Sequence, residues 1–313
     1  MQNTRRNVYD YVIYHRGCPD GFTGFVFAKT SGALRENFTV YPDVPYAKNA
    51  PKKVGGKSVL IIDVAYNDNI LKSIIDRAKF VTVIDHHTAT LKASKAWNKN
   101  NKNWELIYDV TKCGASLSWE TFYPRVNLPL YVKYIQDNDL GLWHDPNTRH
   151  FMVSLKTLYQ IGPNEELVDK WMDLMEPKRV HQMVEEGTIM SKYIDQTNKI
   201  NIKYHCMAYF PSKILYKKNP NVFDKPKQYK VAMFSGMFSS PDFTQKALQT
   251  INCDIVVLWS YNLIRKNYVF TMRSLNYDVS KIAEGFGGGG HRLAASFSFY
   301  KNEMDIDDLI EHI

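Results

Sequence analysis

One apolar stretch of this sequence runs directly into three residues that bind metal ions or move protons. The stretch FVTVID (80–85) is rich in β-branched residues and ends in Asp85, which is followed by His86 and His87. Because side chains alternate along an extended chain, we expect the two imidazole rings to point to opposite sides. One histidine would then bind a metal ion and the other would face a substrate.

Further acids and imidazoles follow other apolar stretches, at His15, Asp20, Asp63 and Asp137. Taken alone, Asp63 could equally be a turn or helix cap, and His15 could be a partly buried structural histidine. Carboxylates with imidazoles and no CxxC pair suit Mn²⁺ or Mg²⁺ better than structural zinc. Two such ions, ~3.5–4 Å apart, would neutralise the crowded acids, activate a water and stabilise a phosphoryl group.

Alternating strand and helix patterns in the first half of the chain must position these residues. Strands are predicted at 9–15, 38–44, 58–66, 80–85 and 104–110, with helices at 21–32 and 69–78. This order is typical of βαβ units that form a mostly parallel sheet. Ligands of such sheets collect outside the carboxyl ends of the strands, so the acids and imidazoles should converge there.

The second half predicts a helical region and then a smaller α/β domain. Helices are expected at 114–123, 128–140, in the region 164–199 and at 278–286, and strands at 229–235, 253–261, 267–274 and 293–300. We therefore expect an α/β fold with a catalytic domain at 1–163, a helical connector at 164–204 and a substrate-binding domain at 205–313.

Composition indicates a globular intracellular protein. Hydrophobic residues make up 44% of the 313 residues and charged residues 23%, which excludes disordered and fibrous classes. No signal peptide and no membrane-spanning run is recognisable, and four cysteines without a CxxC pair favour a reducing, cytoplasmic location. The net charge of +8 favours anionic partners such as nucleotides, although a lysine-rich surface would give the same value. A homodimer is compatible with this composition, and no protein partner can be inferred.

Five motifs occur in the order typical of the DHH phosphoesterase superfamily. They are HRGCPDGFTGF (15–25), IIDVAY (61–66), VIDHH (83–87), YIQDNDLGLW (134–143) and GFGGGGHR (285–292). The sequence resembles the two-domain branch of that family, which is nanoRNase-like or RecJ-like and carries a C-terminal GGGH domain. The resemblance implies a phosphohydrolase with two metal ions, usually Mn²⁺, for which Mg²⁺ or Co²⁺ can substitute.

The resemblance also implies a role for individual residues. By resemblance, the metal ligands are His15, Asp20, Asp63, His86 and Asp137, and Asp63 would bridge the two ions. His87 would lie at the scissile phosphate, and Asp85 would orient a histidine ring through a hydrogen bond.

Cys18 departs from the family pattern. Many members carry an aspartate where this chain has Cys18, in the stretch Cys18-Pro19-Asp20-Gly21. Either Cys18 binds a metal ion as a thiolate, which would favour a softer ion, or it leaves that ion to His15, Asp63 and water. We favour the second alternative.

The glycine run is the second candidate site. Gly285, Gly287 and Gly290 satisfy GxGxxG, but they precede a strand rather than follow one, which is the wrong order for a dinucleotide fold. Consecutive glycines allow the backbone to approach an anion closely, although a flexible turn would have the same composition. By resemblance, the substrate would be bound by Gly288, Gly289, Gly290, His291, Arg292 and Arg273, with Arg292 also stabilising charge during catalysis. The GGKS stretch (55–58) is not a phosphate-binding P-loop, because Pro51 replaces the first glycine.

These observations predict a metal-dependent phosphodiesterase that hydrolyses short oligoribonucleotides to mononucleotides. Cyclic dinucleotides or 3′-phosphoadenosine 5′-phosphate are alternative substrates for the same chemistry. A nucleic-acid-binding protein with a degenerate site is an alternative of another class, favoured by the basic charge and by Cys18.

Overall fold

The computed structural model describes residues 8–45, 47–97, 102–212, 228–236 and 241–313. The chain divides into two compact units, Met1–Lys192 and Tyr193–Ile313. Each unit contains one β-sheet and hydrophobic clusters of its own. Mixed α/β architecture with a parallel sheet, as predicted from the sequence, is confirmed.

The sheet of the first unit has five strands, all parallel, in the order β2-β1-β3-β4-β5. They are β1 (Tyr9–His15), β2 (Leu34–Asp43), β3 (Ser58–Ile62), β4 (Phe80–Asp85) and β5 (Trp104–Tyr108). Neighbouring residues of β3 pack into different cores, Leu60 into one and Ile61 into the other. Burial on both faces explains why the strands read as continuous apolar runs.

In the described part of the first unit, eight helices connect and cover these strands. They are α1 (Pro19–Thr30), α2 (Asp68–Arg77), α3 (Thr88–Trp97), α4 (Gly114–Phe122), α5 (Leu130–Asp139), α6 (Asn147–Leu158), α7 (Glu165–Met172) and α8 (Pro177–Asn201), and α8 continues past Lys192 into the second unit. Short 3₁₀ turns lie at Lys52–Val54 and Asp173–Met175. The sequence did not predict α6, although the helix buries Phe151 and Leu155 in the core.

The sheet of the second unit has seven strands in the order β10-β11-β9-β8-β7-β6-β12. They are β6 (Cys206–Phe210), β7 (Tyr229–Ser235), β8 (Ile255–Asn262), β9 (Asn267–Arg273), β10 (Gly289–His291), β11 (Ala294–Tyr300) and β12 (Glu311–His312). Among the described strands of this second sheet, only the pair β7 and β8 is parallel. The described part of the unit also contains the helices α9 (Pro241–Thr250) and α10 (Val279–Gly285) and a 3₁₀ turn (Ile306–Asp308).

Stacked phenylalanines join the neighbouring strands β9 and β11 of the second sheet. The rings of Phe270 and Phe297 are 4.9 Å apart at an interplanar angle of 9°, and Phe286 stacks on Phe297 at 4.4 Å. Phe286 directly precedes the glycine run, so this stacking anchors the start of that run to the core.

Across the described part of the chain, we find no helix with both the length and the hydrophobicity that spanning a membrane requires.

Candidate metal centre

The carboxyl ends of three adjacent strands bring the predicted acids and imidazoles together. β3 lies between β1 and β4, with Ile61 paired to Ile13 on one side and to Val83 on the other. Parallel strands in this register all end at one edge of the sheet. The segments that follow β1, β3 and β4 therefore meet there.

Asp63 lies at the centre of the cluster. One carboxylate oxygen, Oδ2, is 3.1 Å from His15 Nδ1, and the other, Oδ1, is 3.3 Å from His86 Nε2. Burial tends to raise the pKa of this carboxyl, but the imidazoles of His15 and His86 beside it lower the pKa below its ordinary value. The backbone φ of Asp63 is +59°, in the left-handed region that non-glycine residues seldom adopt. Strain of this kind is typical of functional sites.

Three overlapping sets of potential metal ligands lie in this cluster, and one of them joins Asp63 to Asp85, His86 and His87. The ligand atoms of His15, Cys18 and Asp63 lie within 4.8 Å of one another, and so do those of a further set, Asp20, His86 and Asp139. Since each oxygen of Asp63 faces a different histidine, this carboxylate is placed to serve these last two sets.

Asp20 is buried and is held by the N-terminus of α4. Its two oxygens accept hydrogen bonds of 2.7 Å from the backbone N–H groups of Gly114 and Ala115. Burial, followed by the neighbouring charges of Asp63 and Asp139, raises the pKa of Asp20 well above its ordinary value. A buried acid in this condition calls for a nearby cation to hold it ionised.

Two glycines allow this close packing. A Cβ at Gly21 would lie 2.7 Å from the Cβ of His15, and one at Gly114 would lie 2.8 Å from the Cβ of Asp63. Any larger residue would push a candidate ligand out of place.

The structure brings Asp139 into the cluster, and not Asp137. The Asp137 carboxylate accepts hydrogen bonds from the backbone N–H of His144 (2.9 Å) and Asp145 (3.2 Å) and from the Thr148 hydroxyl. These bonds join the end of α5 to the start of α6. The structure therefore places Asp139, rather than the predicted Asp137, among the candidate ligands.

Spacing explains this difference. Asp137 and Asp139 are two residues apart on one helix, so they face nearly opposite sides of it. The motif YIQDNDLGLW contains both acids, and choosing between them requires knowing that α6 follows and supplies the Thr148 hydroxyl.

Two buried atoms of the cluster lack hydrogen-bond partners. These are His86 Nε2 and Asp139 Oδ2, which are 3.3 Å apart, and the described residues supply neither with a hydrogen bond. Burial tends to lower the pKa of His86, but the carboxylates of Asp63, Asp20 and Asp139 raise it to about 9. Burial, then Asp63, raises the pKa of Asp139. Unpaired buried polar atoms require an explanation, and a divalent ion bound by imidazole nitrogen and carboxylate oxygen fits both atoms.

His86 and His87 lie on the same side of the chain, contrary to the expectation of opposite sides. Their ring centroids are 4.4 Å apart. β4 ends at Asp85, whose Oδ1 accepts hydrogen bonds from the backbone N–H of His86 (2.8 Å) and of His87 (3.2 Å). The chain therefore turns here, and strand alternation no longer applies.

Asp85 is fully buried and orients the ring of His87. The same oxygen, Oδ1, is 2.7 Å from His87 Nδ1, and Oδ2 accepts a hydrogen bond from the Thr90 hydroxyl. Burial tends to lower the pKa of His87, but the Asp85 carboxylate raises it above its ordinary value. With Nδ1 engaged in this way, Nε2 is the ring atom left to contact a substrate.

Cys18 lies beside the first ligand set and is partly buried. Burial, followed by the charges of Asp63 and Asp20, raises the pKa of its thiol well above the ordinary value. Without a cation the group is therefore a neutral thiol. A bound ion would reverse that preference, so both sequence-based alternatives for Cys18 stay open.

Part of the glycine run forms a β-strand rather than a free loop. Gly289 and Gly290 belong to β10 and pair with Ser296 and Ala295 of β11. Gly290 has a φ of +149°, and a Cβ there would lie 2.5 Å from the Ala294 carbonyl oxygen. Glycine is needed at this position for both reasons.

The backbone N–H of Gly288 is already used. It donates to the Ala283 carbonyl at 2.8 Å, and the backbone N–H of the preceding Gly287 donates to the Glu284 carbonyl at 2.9 Å. Both amides therefore pair with carbonyl groups at the C-terminal end of α10. The backbone N–H of Gly288 is therefore already paired within the second unit. Gly288 also contacts β11 closely, since a Cβ would lie 2.2 Å from the Ser296 carbonyl oxygen.

Three cationic or polar side chains accompany this hairpin. His291 and Arg292 are exposed, and Arg292 Nη2 donates to the Asn276 carbonyl at 3.3 Å. Arg273 lies in β9, where it is paired with Ala294 of β11. Burial lowers the pKa of the Arg273 guanidinium. Through Ala294, Arg273 of β9 and His291 of β10 thus lie in register on either side of β11.

Comparisons with known proteins gave one curated relative and several solved structures. No family model matches the chain. It is 28% identical over 311 residues to the uncharacterized protein R106 of Acanthamoeba polyphaga mimivirus, covering 93% of this chain and 67% of the viral protein.

The similar solved structures include two with named activities. One is the pGpG-specific phosphodiesterase PggH from Vibrio cholerae, at 15% identity and a TM-score of 0.49, covering 94% of each chain. Another is the exonuclease RecJ bound to manganese, at 14% identity and a TM-score of 0.47, covering 94% of this chain and 86% of that one. These activities belong to those proteins, and the function of this chain is inferred from its own residues.

Proposed function

We propose that this chain is a divalent-metal-dependent phosphodiesterase of the DHH type. The observation that carries the proposal is the position of Asp63, whose two oxygens face two different ligand sets at one end of a parallel sheet. Structural acids at strand ends are normally capped by backbone or hydroxyl groups, whereas Asp63 is surrounded by imidazoles.

The ligand assignment follows from these contacts. One ion would be held by His15 and Asp63, with Cys18 or water beside them, and the other by Asp20, Asp63, His86 and Asp139. Manganese suits this mixture of carboxylate oxygen and imidazole nitrogen, and Mg²⁺ or Co²⁺ are substitutes. When bound, such a pair lowers the pKa of a water and neutralises charge on a phosphoryl group.

His87 and Asp85 would act on the substrate. Asp85 accepts the Nδ1 proton of His87, so Nε2 points away from the acid. The raised pKa of His87 favours the imidazolium form, which donates a hydrogen bond from Nε2. We assign this donor to a phosphate oxygen that gains negative charge during the reaction.

The second unit would bind the anionic substrate. Arg273, His291 and Arg292 supply donors, and Gly289 and Gly290 allow the backbone of β10 to approach a ligand without interference from side chains. We retain the functional division into a catalytic domain at 1–163, a connector at 164–204 and a substrate-binding domain at 205–313.

The substrates we propose are short oligoribonucleotides, hydrolysed to mononucleotides. The net charge of +8 and the arginines of the second unit support an anionic substrate. Cyclic dinucleotides and 3′-phosphoadenosine 5′-phosphate carry the same phosphoryl chemistry and are the alternatives.

A time course with Mn²⁺ tests the proposal. The purified chain is given RNA and DNA oligomers of increasing length, a cyclic dinucleotide and 3′-phosphoadenosine 5′-phosphate. We expect release of mononucleotides from the shortest RNAs, loss of activity in Asp139→Asn, and unchanged activity in Asp169→Asn, an exposed acid on α7.

Two results would contradict the proposal. Full activity of Asp139→Asn would contradict the ligand assignment. Salt-sensitive binding of long single strands, with no hydrolysis under any divalent ion, would instead support a binding protein with a degenerate site.

A further inference from the structure

The second unit contains a cavity that has no part in the metal centre. Its volume is about 470 Å³, within the range of small-molecule sites. It lies between the last turns of α8, the segment after that helix, and residues of β7, β8 and α9. Its principal lining residues are Tyr193, Asn198, Tyr204, Phe234, Phe243 and Leu258.

A buried amide without a partner marks this cavity as a binding site. Asn198 is 8% exposed, and its Nδ2 atom donates no hydrogen bond to any of the described residues. Buried polar groups of native proteins are nearly always paired, because a donor removed from water loses its hydrogen bonds. Asn198 lines the cavity, so a ligand there can supply the missing acceptor.

The remaining wall defines the chemistry of the ligand. Phe234, Phe243 and Leu258 are almost fully buried and give apolar surfaces, whereas Tyr193 and Tyr204 are largely exposed at the margin. Among the described residues, no charged side chain lines the cavity, so its wall favours a neutral group in the enclosed part of a ligand. A hydrocarbon chain would leave Asn198 unpaired, and a phosphate would find no cation there.

We propose that the cavity binds the adenine ring of a nucleoside or nucleotide. A side-chain amide pairs with adenine through two hydrogen bonds, in which the nitrogen donates to a ring nitrogen and the oxygen accepts from the 6-amino group. The aromatic residues contact the faces of the ring, as they do in other base-binding sites. Sugar and any phosphate remain toward the exposed tyrosines.

This site is distinct from the proposed phosphodiesterase activity. The cavity contains none of the residues assigned to metal or phosphate binding. Adenosine binding should therefore need neither divalent metal nor Asp63, and each proposal can fail without the other.

Calorimetric titration of the full chain with adenosine, in the presence of EDTA, tests the inference. We expect saturable binding of one adenosine per chain, weakened about tenfold by Asn198→Leu and unchanged by Asp63→Asn. Purine riboside lacks the 6-amino group and should bind wild-type protein about tenfold more weakly than adenosine. This ligand-side comparison stands even if Asn198→Leu does not fold.

Three results would overturn the inference. The first is absence of saturable binding at millimolar adenosine. The second is equal affinity for adenosine and purine riboside. The third is loss of adenosine binding in Asp63→Asn, which would place the nucleoside at the metal centre.

Discussion

The two units of this chain use their sheets differently. In the first unit, all five strands are parallel, and the ends of β1, β3 and β4 bring acids and imidazoles from distant parts of the sequence to one edge. In the second unit, nearly all neighbouring strands are antiparallel, and the glycine hairpin lies at the end of the sheet order. The parallel strands of the first unit bring charged side chains together at one edge of the sheet. The antiparallel strands of the second unit are joined by a hairpin whose glycines leave the backbone uncovered by side chains.

This difference predicts that substitutions in the first unit affect the chemical step and that those in the second affect binding. The largest effect is expected for Asp63→Asn, because one carboxylate faces both ligand sets and Asn tolerates the left-handed backbone. We expect turnover to fall about 10³-fold or more, with loss of metal binding by calorimetry. Wild-type affinity for Mn²⁺ in this variant would contradict the central role of Asp63.

His87→Gln separates substrate contact from metal binding within the first unit. His87 contacts Asp85 and is a substrate group in our assignment, so its loss should lower kcat about 10²–10³-fold. Stoichiometry of bound Mn²⁺ should stay at the wild-type value. A parallel loss of metal would show instead that His87 is a ligand.

Asp137→Ala tests whether Asp137, near the end of α5, stabilises the fold rather than binds a metal ion. Its carboxylate accepts hydrogen bonds from two backbone N–H groups and a hydroxyl, so its removal should destabilise the fold by about 2–3 kcal/mol in urea unfolding. Although burial opposes it, these bonds lower the pKa of Asp137 in the folded state.

The stability difference between wild type and Asp137→Ala should depend on pH in one direction. A carboxyl whose folded pKa is depressed contributes stability above its unfolded pKa of about 4, and this contribution is lost as pH falls through the folded value. The stability gap between wild type and Asp137→Ala should therefore narrow below about pH 4. Metal binding by the folded variant should persist, in contrast to Asp139→Ala, and its loss would restore Asp137 as a ligand.

Arg273→Met should show the smallest effect and the opposite kinetic pattern. Methionine keeps a long side chain at this position of β9 but removes the positive charge beside the hairpin. We expect KM for short RNA to rise about tenfold with little change in kcat, since only uniform substrate binding is lost. A large fall in kcat with unchanged KM would place Arg273 in the chemical step.

The sequence predicted the strands of the first sheet and most of the acids and imidazoles at its edge, because both have clear patterns. Strands buried on both faces read as apolar runs, and an acid at the end of such a run is conspicuous. Asp139 was missed because its burial depends on packing between helices, which the sequence does not display. The pairing of β10 with β11 was missed because glycines carry no strand pattern, and the pairing partner decides their conformation.

The contact between Asp20 and α4 also has a consequence for folding kinetics. The bonds that Asp20 accepts from Gly114 and Ala115 join residues 94 and 95 positions apart, so they close a long loop. Contacts of such separation carry a high entropic cost and are expected to form late on the folding pathway. An Asp20 substitution should therefore accelerate unfolding while leaving the refolding rate nearly unchanged. The same residue that we assign to metal binding would then also govern how long the native first unit persists.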